Sequence, residues 1–228
     1  MGQGCPAESW PRHALDDAST EAAGMWISAW NALLDLLAPP RCPGCDTTLD
    51  FGEHGFCGAC APLLERLPGP SAYVFGGPLA DAIRRFKYAR RTDLADELGA
   101  LFAQAARMHR GRVDVVVPVA SHPRRVRARG FEPVVLLARA VADSLDVPLD
   151  RARLRRLRDT PPQASLPEAE RDANVRGAFE ASRDDTRRRV LLVDDVRTTG
   201  ATTKAASAAL YRSGAVEVRV LTLAGVQA

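Results

Sequence analysis

Residues 190–202, Val-Leu-Leu-Val-Asp-Asp-Val-Arg-Thr-Thr-Gly-Ala-Thr, constrain the fold more than any other stretch of this chain. Four apolar residues, two of them β-branched, predict a buried strand. Asp194 and Asp195 stand at its carboxyl end. Thr198, Thr199, Gly200, Ala201 and Thr202 make a tight loop of small residues, and Lys204–Arg212 reads as a helix. A strand, a small-residue loop and a helix amino end form a phosphate cradle, because free backbone N–H groups and the helix dipole point at the anion. Two carboxylates just ahead of it accept hydrogen bonds from a sugar diol. An ordinary buried strand with a helix cap is the bland alternative. It does not explain an acid pair and a complete loop in this order.

The bulk properties fit a soluble globular chain: 228 residues, 46% apolar and 26% charged. A net charge of +3 implies no nucleic-acid partner by itself. There are 29 arginines and two lysines, Lys87 and Lys204, a bias read mainly as genomic composition. No apolar run is long enough to span a membrane, so no membrane insertion is expected. Met25 to Ala38 comes nearest, but Asn31 and Asp35 interrupt it, and it reads as an amphipathic helix ended by Pro39-Pro40. Residues 1–24 are polar and mixed, read as a disordered tail, and lack the basic start of a secretory signal. The expected location is cytoplasmic.

Cys42-Pro-Gly-Cys45 and Cys57-Gly-Ala-Cys60 are separated by eleven residues. Each knuckle sets two thiolates on one side of a turn, with Gly44 and Gly58 read as permitting the turn. Two knuckles close a tetrahedron around a soft dication, for which Zn²⁺ is the usual occupant. Paired disulfides compete with this reading, although a cytoplasmic setting disfavours them. Iron is a further alternative. A closed site of this kind is structural and folds a segment too short to fold alone. His54 between the knuckles reads as a surface residue, and Cys5 lies outside the module.

Between module and signature, Leu79–Tyr88 predicts a helix with Leu79, Ile83 and Phe86 on one face. Its other edge and sequel carry Arg84, Arg85, Lys87, Arg90 and Arg91, either a solvated face or an anion-binding surface. A helix over about 94–108 and a buried strand over 113–119 follow. Residues 121–131 read as a loop bearing Arg124, Arg125, Arg127 and Arg129, suited to a polyanion at a strand's carboxyl end. The helix over 133–145 turns Val134, Leu137, Ala138 and Val141 to the core. In Arg151–Arg158, Leu154 and Leu157 are expected to anchor five outward arginines. Glu168–Asp172 is a helix-prone acidic patch, Gly177 a turn before an edge strand, and Val216–Leu223 the closing strand.

Residues 190–202 closely resemble the signature of the phosphoribosyltransferases, which bind phosphoribosyl pyrophosphate (PRPP). The resemblance implies that Asp194 and Asp195 hold the ribose hydroxyls with Val196 beside them, and that Thr198, Thr199, Gly200, Ala201 and Thr202 wrap the 5′-phosphate. It also implies that the basic segment over 120–131, with Ser121, Arg124 and Arg125, holds pyrophosphate, often as a mobile loop that closes over it. Asp194, Asp195 and Arg129 become the implied catalytic residues, and Mg²⁺ is implied by the charge of PRPP. The order of motifs is similar to that of the ComF family: apolar helix, double knuckle, Phe86-Lys87-Tyr88, strand to Pro118, Arg129-Gly130-Phe131, Gln163, Arg171, Asn174-Val175 with Gly177-Ala178-Phe179, then the signature. The resemblance covers about residues 30–225 and begins just after Met25, a candidate start of translation.

It implies an α/β fold: a type I phosphoribosyltransferase-like parallel sheet flanked by helices over 69–228, joined to a small N-terminal zinc-binding module over 25–68. The chain departs from the family at Glu132-Pro133, where an Asn-Gln pair is common. Two functions follow. One is phosphoribosyl transfer to an unidentified acceptor with release of pyrophosphate. The other is a non-catalytic role in DNA handling during natural transformation, with single-stranded DNA or a competence helicase as partner. For the second, basic runs at 84–91, 124–129 and 151–158 would track phosphates, with Phe86, Tyr88 and Phe131 available to bases.

Overall fold

The computed structural model describes residues 39–50, 52–159, 174–183 and 187–227. The tail over 1–24, the helix over 25–38, Gln163, Arg171 and the acidic patch over 168–172 lie outside these residues. Among those described, a sheet of four parallel strands runs in the order β1 (Ser71–Val74), β6 (Glu217–Gly225), β5 (Arg189–Arg197), β2 (Val115–Pro118). Among the described residues the α-helices α1 (Gly77–Tyr88), α2 (Leu94–Ala106), α3 (Pro123–Arg129), α4 (Pro133–Leu145) and α5 (Ala201–Arg212) accompany it. A second, antiparallel sheet pairs β3 (Leu154–Arg156) with β4 (Phe179–Ala181).

Alternation along β5 builds both faces of the core. Leu191 and Val193 pack with α1, α2 and α4 through residues such as Phe86, Phe102 and Leu137. Val190 and Leu192 pack on the opposite face with Ala206, Ala209 and Leu210 of α5 and with Leu154 and Phe179. All four β5 residues are fully buried, as expected of a parallel strand covered on both sides. The carboxyl ends of β2 and β5 therefore open at one edge, where the helices leave a crevice.

Three segments differ from expectation. Residues 123–129 form the helix α3, not a loop. Pro123 begins it, the His122 side chain caps it by accepting from the Arg124 N–H at 3.3 Å, and Gly130 ends it in the left-handed conformation. The arginine run folds as β3, so Leu154 is buried but Leu157 is 54% exposed and anchors nothing. Its arginines are also not all outward: Arg153 is 3% exposed. The strand after Gly177 is β4, an edge strand as expected, paired with β3 in this small sheet. Strand β1 was not anticipated; its four residues gain their ladder from β6.

Candidate functional site

The cysteine centre comes first in the chain. Cys42, Cys45, Cys57 and Cys60 bring four Sγ atoms within 4.8 Å of one another. Cys45 Sγ and Cys57 Sγ are 3.7 Å apart, too far for a disulfide. A tetrahedral zinc thiolate with bonds of about 2.3 Å places its sulfurs about 3.8 Å apart, so the residues fit that ion. The Cys57 N–H donates to Cys42 Sγ at 3.3 Å. The Thr47 hydroxyl, 3.2 Å from Cys45 Sγ, brings that thiol down to about 6, favouring the thiolate a metal requires. His54 is exposed and outside the cluster. Neither Gly44 nor Gly58 has a positive φ. Gly44 answers a different need: a Cβ there would stand 2.6 Å from Pro78 Cβ in α1.

A cleft of about 370 Å³ opens at the carboxyl ends of β2 and β5. Asp194 and Asp195 form its floor, 9% and 7% exposed. The Asp194 Oδ1 accepts from the Asp195 N–H at 2.9 Å. Burial first, and the Asp195 charge second, push the Asp194 carboxyl up to about 8, while Lys87 draws it down. Lys87 reaches in from α1 and places Nζ 2.7 Å from Asp195 Oδ1. Above the acids, the 198–202 loop leads into α5. Gly200 at its turn has φ +82°, which favours glycine, and a Cβ would meet Arg197 Nη1 at 3.3 Å. Thr203 Oγ donates back to the Gly200 carbonyl at 3.0 Å, and the Ala201 N–H donates to Thr199 Oγ at 3.4 Å. The loop is thus pre-shaped at a helix amino end, where an anion is favoured.

The remaining walls collect cations. Arg125, Arg129 and Arg156 line the cleft with Ser121, and Arg197 lies under the loop. Arg129 stacks its guanidinium 5.5 Å from the Tyr88 ring centre. Arg125 Nε stands 3.6 Å from Asp159 Oδ1. The fold therefore brings together Asp194, Asp195, Val196, Thr198, Thr199, Gly200, Ala201, Thr202, Ser121, Arg125 and Arg129. Arg124 alone among the expected residues is exposed and does not line the cleft. Arg156 was not singled out as a site residue in the sequence, whereas Lys87 and Arg84, from the stretch read as either a solvated face or an anion-binding surface, line the cleft. Pro133 is a buried first-turn proline of α4, which accounts for the proline; Glu132 is the N-cap residue but makes no side-chain cap hydrogen bond. A wider surface groove of about 940 Å³ beside β4 and the end of α5 contains none of the signature residues.

Most of the basic stretch over 84–91 is paired within the chain, while Arg84 and Lys87 also line the cleft. Arg84 pairs with Asp81 at 3.0 Å, Arg90 donates to the Ala128 carbonyl at 3.1 Å, and Arg91 bonds Asp46 and Asp93 at 2.9 and 2.8 Å. Arg85 donates to the Pro43 carbonyl at 2.8 Å. Arg85 and Arg91 thus clamp the cysteine module, while Arg84 and Arg90 remain exposed.

A parallel α/β sheet with this loop, joined to a four-cysteine module, defines a class, and comparison with known families agrees. The phosphoribosyl transferase domain matches residues 89–228, and the double zinc ribbon domain matches residues 33–91. The chain belongs to the ComF family of competence-related, phosphoribosyltransferase-like proteins. Competence protein F of Haemophilus influenzae is 31% identical over 198 residues, covering 81% of this chain and 84% of that protein. DNA utilization protein YhgH of Salmonella typhi is 32% identical over 188 residues, covering 78% of this chain and 81% of that one. Among solved structures, the glutamine PRPP amidotransferase from B. subtilis, complexed with ADP and GMP, aligns at 24% identity and a TM-score of 0.40. That alignment spans 61% of this chain and 30% of the amidotransferase. Among the described residues, no helix is long and apolar enough to cross a membrane.

Proposed function

We propose that this protein binds PRPP in the β2–β5 cleft and transfers its phosphoribosyl group to an acceptor nucleophile, releasing pyrophosphate. One observation carries the reading: the buried Asp194–Asp195 pair and the 198–202 loop share a single cleft with Ser121, Arg125 and Arg129. In this reading the two carboxylates accept the ribose hydroxyls, and the loop N–H groups and threonine hydroxyls receive the 5′-phosphate. Arg125 and Arg129 face the pyrophosphate; Arg124, exposed outside the cleft, contributes long-range charge only. The acceptor's lone pair forms the new bond at ribose C1 as the C1–O bond to pyrophosphate breaks and that oxygen takes the electron pair. The chain's contribution is positioning and charge stabilisation of the leaving group. Mg²⁺, held mainly by substrate oxygens and water, would supply further neutralisation of the pyrophosphate. An adjoining cleft of about 450 Å³ shares Ala120, Ser121 and Arg156 with the first, leaving room for a second reactant.

The test is calorimetric titration with PRPP in the presence and absence of Mg²⁺, followed by a pyrophosphate-release assay across candidate acceptors. Saturable binding that disappears in Asp194→Asn/Asp195→Asn supports the assignment. Unchanged binding in that variant refutes the ribose clamp.

The names of the relatives favour a second reading, a DNA-handling role in which the cleft is a ligand site without turnover. A competence helicase would be the partner by family analogy, in a cytoplasmic setting where four free thiols hold Zn²⁺. Its DNA contacts would fall on Arg151, Arg155 and Arg158, which are exposed, with Arg155 also paired to Glu180 at 2.9 Å and Arg158 donating to the Arg176 carbonyl at 2.8 Å. Single-stranded DNA binding that weakens with salt and persists in the Asp194→Asn/Asp195→Asn variant distinguishes it.

A further inference from the structure

The helix that carries Lys87 into the cleft is fastened to the cysteine module along its length. At its first turn, Pro78 closes on Gly44, where a Cβ would be only 2.6 Å away. Near its end, Arg85 Nη1 donates to the Pro43 and Gly44 carbonyls at 2.8 and 2.5 Å, the two residues between Cys42 and Cys45. Just past its end, Arg91 Nη1 meets Asp46 Oδ1 at 2.9 Å. Residues two apart on a helix point about 200° from each other. Arg85 and Lys87 accordingly reach opposite ways, one to the knuckle and one to Asp195.

We propose that the cysteine module, acting through Arg85, fixes Lys87 as a ligand-binding residue of the phosphoribosyl cleft, so that the metal state of the module sets the cleft's affinity for phosphorylated sugar. This rests on the PRPP reading for its ligand. Lys87 pairs with Asp195 at 2.7 Å, with its side chain 17% exposed. A side chain so enclosed is aimed by its helix and has little freedom to search for its partner. When a sugar hydroxyl arrives at Asp195, the ammonium still faces the polyanion. Without it, two adjacent carboxylates meet a polyanionic ligand with one cation fewer. Arg85 touches no ligand and is a positioning residue. A tilt of α1 after loss of the Pro43–Gly44 anchor moves the ammonium first.

The two lysines make this readable. Lys204, exposed on α5, serves as the internal reference for Lys87. The experiment measures acetylation rates of both by mass spectrometry on the full, zinc-loaded chain, with thermal melts to establish that each variant is folded. Lys87 should react more slowly than Lys204 in the parent. Arg85→Gln should raise the Lys87 rate several-fold without altering the Lys204 rate, and removal of zinc by a chelator should do the same. Calorimetry with Mg²⁺ and PRPP should then show Lys87→Met weakened by about tenfold or more, the scale of a lost charge-assisted contact. Arg85→Gln should also weaken binding, and Arg85→Gln/Lys87→Met should bind no more weakly than Lys87→Met alone. An unchanged Lys87 rate in Arg85→Gln overturns the coupling, whatever PRPP does. Losses that add in the double variant overturn the route through Lys87. Unaltered affinity in Lys87→Met overturns its ligand role. A parent protein that fails to bind PRPP overturns the proposed function instead, and the acetylation rates then decide the coupling alone.

Discussion

Replacing Asp194 with asparagine isolates the cost of burying an acid beside an acid. Asparagine has the same shape and keeps an oxygen to accept from the Asp195 N–H, but it carries no charge. In the folded chain the Asp194 carboxyl is pushed up to about 8; in the unfolded chain it returns to about 3.9. The folded state thus holds a proton that the unfolded state releases. Stability from this group is full below about pH 4, falls as pH rises, and levels off above about pH 8. The slope cannot exceed about 1.4 kcal/mol per pH unit, which caps the loss between pH 5 and 8 at about 4 kcal/mol. Relaxation and water around a cleft residue reduce this to about 2 kcal/mol. For a chain of this size that corresponds to about 4–8 °C in Tm. Thermal unfolding of the parent and Asp194→Asn at pH 5 and pH 8 is the assay. The variant's Tm advantage should be about 4–8 °C larger at pH 8 than at pH 5. Titrating groups away from the cleft are common to both proteins and cancel in that difference; Asp195 and Lys87, which interact with Asp194, contribute to it. A gap that is constant with pH, or that closes as pH rises, refutes the reasoning.

The same proton has a consequence for binding. Ionised Asp194 accepts hydroxyl hydrogen bonds better than its neutral form, so PRPP affinity should rise from pH 6 to 8; a flat calorimetric profile counts against Asp194 as a hydroxyl acceptor. Gly44→Ala places a methyl 2.6 Å from the Pro78 ring and should destabilise the chain by about 1–3 kcal/mol in denaturant titration; an unaltered midpoint would remove the close-packing argument. Elemental analysis should find about one zinc per chain, and chelation should lower Tm and expose all four module thiols to a thiol reagent; thiols that react equally fast before chelation would exclude a closed metal site.

The parts of this fold most legible in the sequence are those in which neighbouring residues cooperate locally. The signature places strand, acids, loop and helix in one continuous run, and the four cysteines declare their centre by spacing. Strand β1 was opaque because four residues carry no period, and its ladder comes from β6, some 150 residues away in the chain. Helix α3 was hidden by its charge, yet its punctuation was present: a proline at the first position and a glycine at the end. Arg156 was obscured in a run where most residues are arginine. The alternation of β3 turns Leu154 inward and Arg155 outward, and Arg156 again toward the cleft. Lys87 was legible as part of a basic stretch and of the Phe86-Lys87-Tyr88 motif, but not as the partner of Asp195. Its partner Asp195 lies more than a hundred residues on, and only the parallel sheet brings them together.

Helix α3 is held unequally at its two ends. Its carboxyl end is locked to α1: Arg90 grips the Ala128 carbonyl, Arg129 covers Tyr88, and Phe131 packs 5.5 Å from the buried Phe86. Its amino end has the His122 cap and two longer pairings to Asp159, from His122 at 3.8 Å and Arg125 at 3.6 Å. The amino end follows directly from β2 and carries Ser121 and Arg125 into the wall of the cleft. An anion bound there would meet Arg125 beside its Asp159 partner. The basic segment is thus a rod of about two helical turns, fastened more firmly at Arg129 than at Arg125.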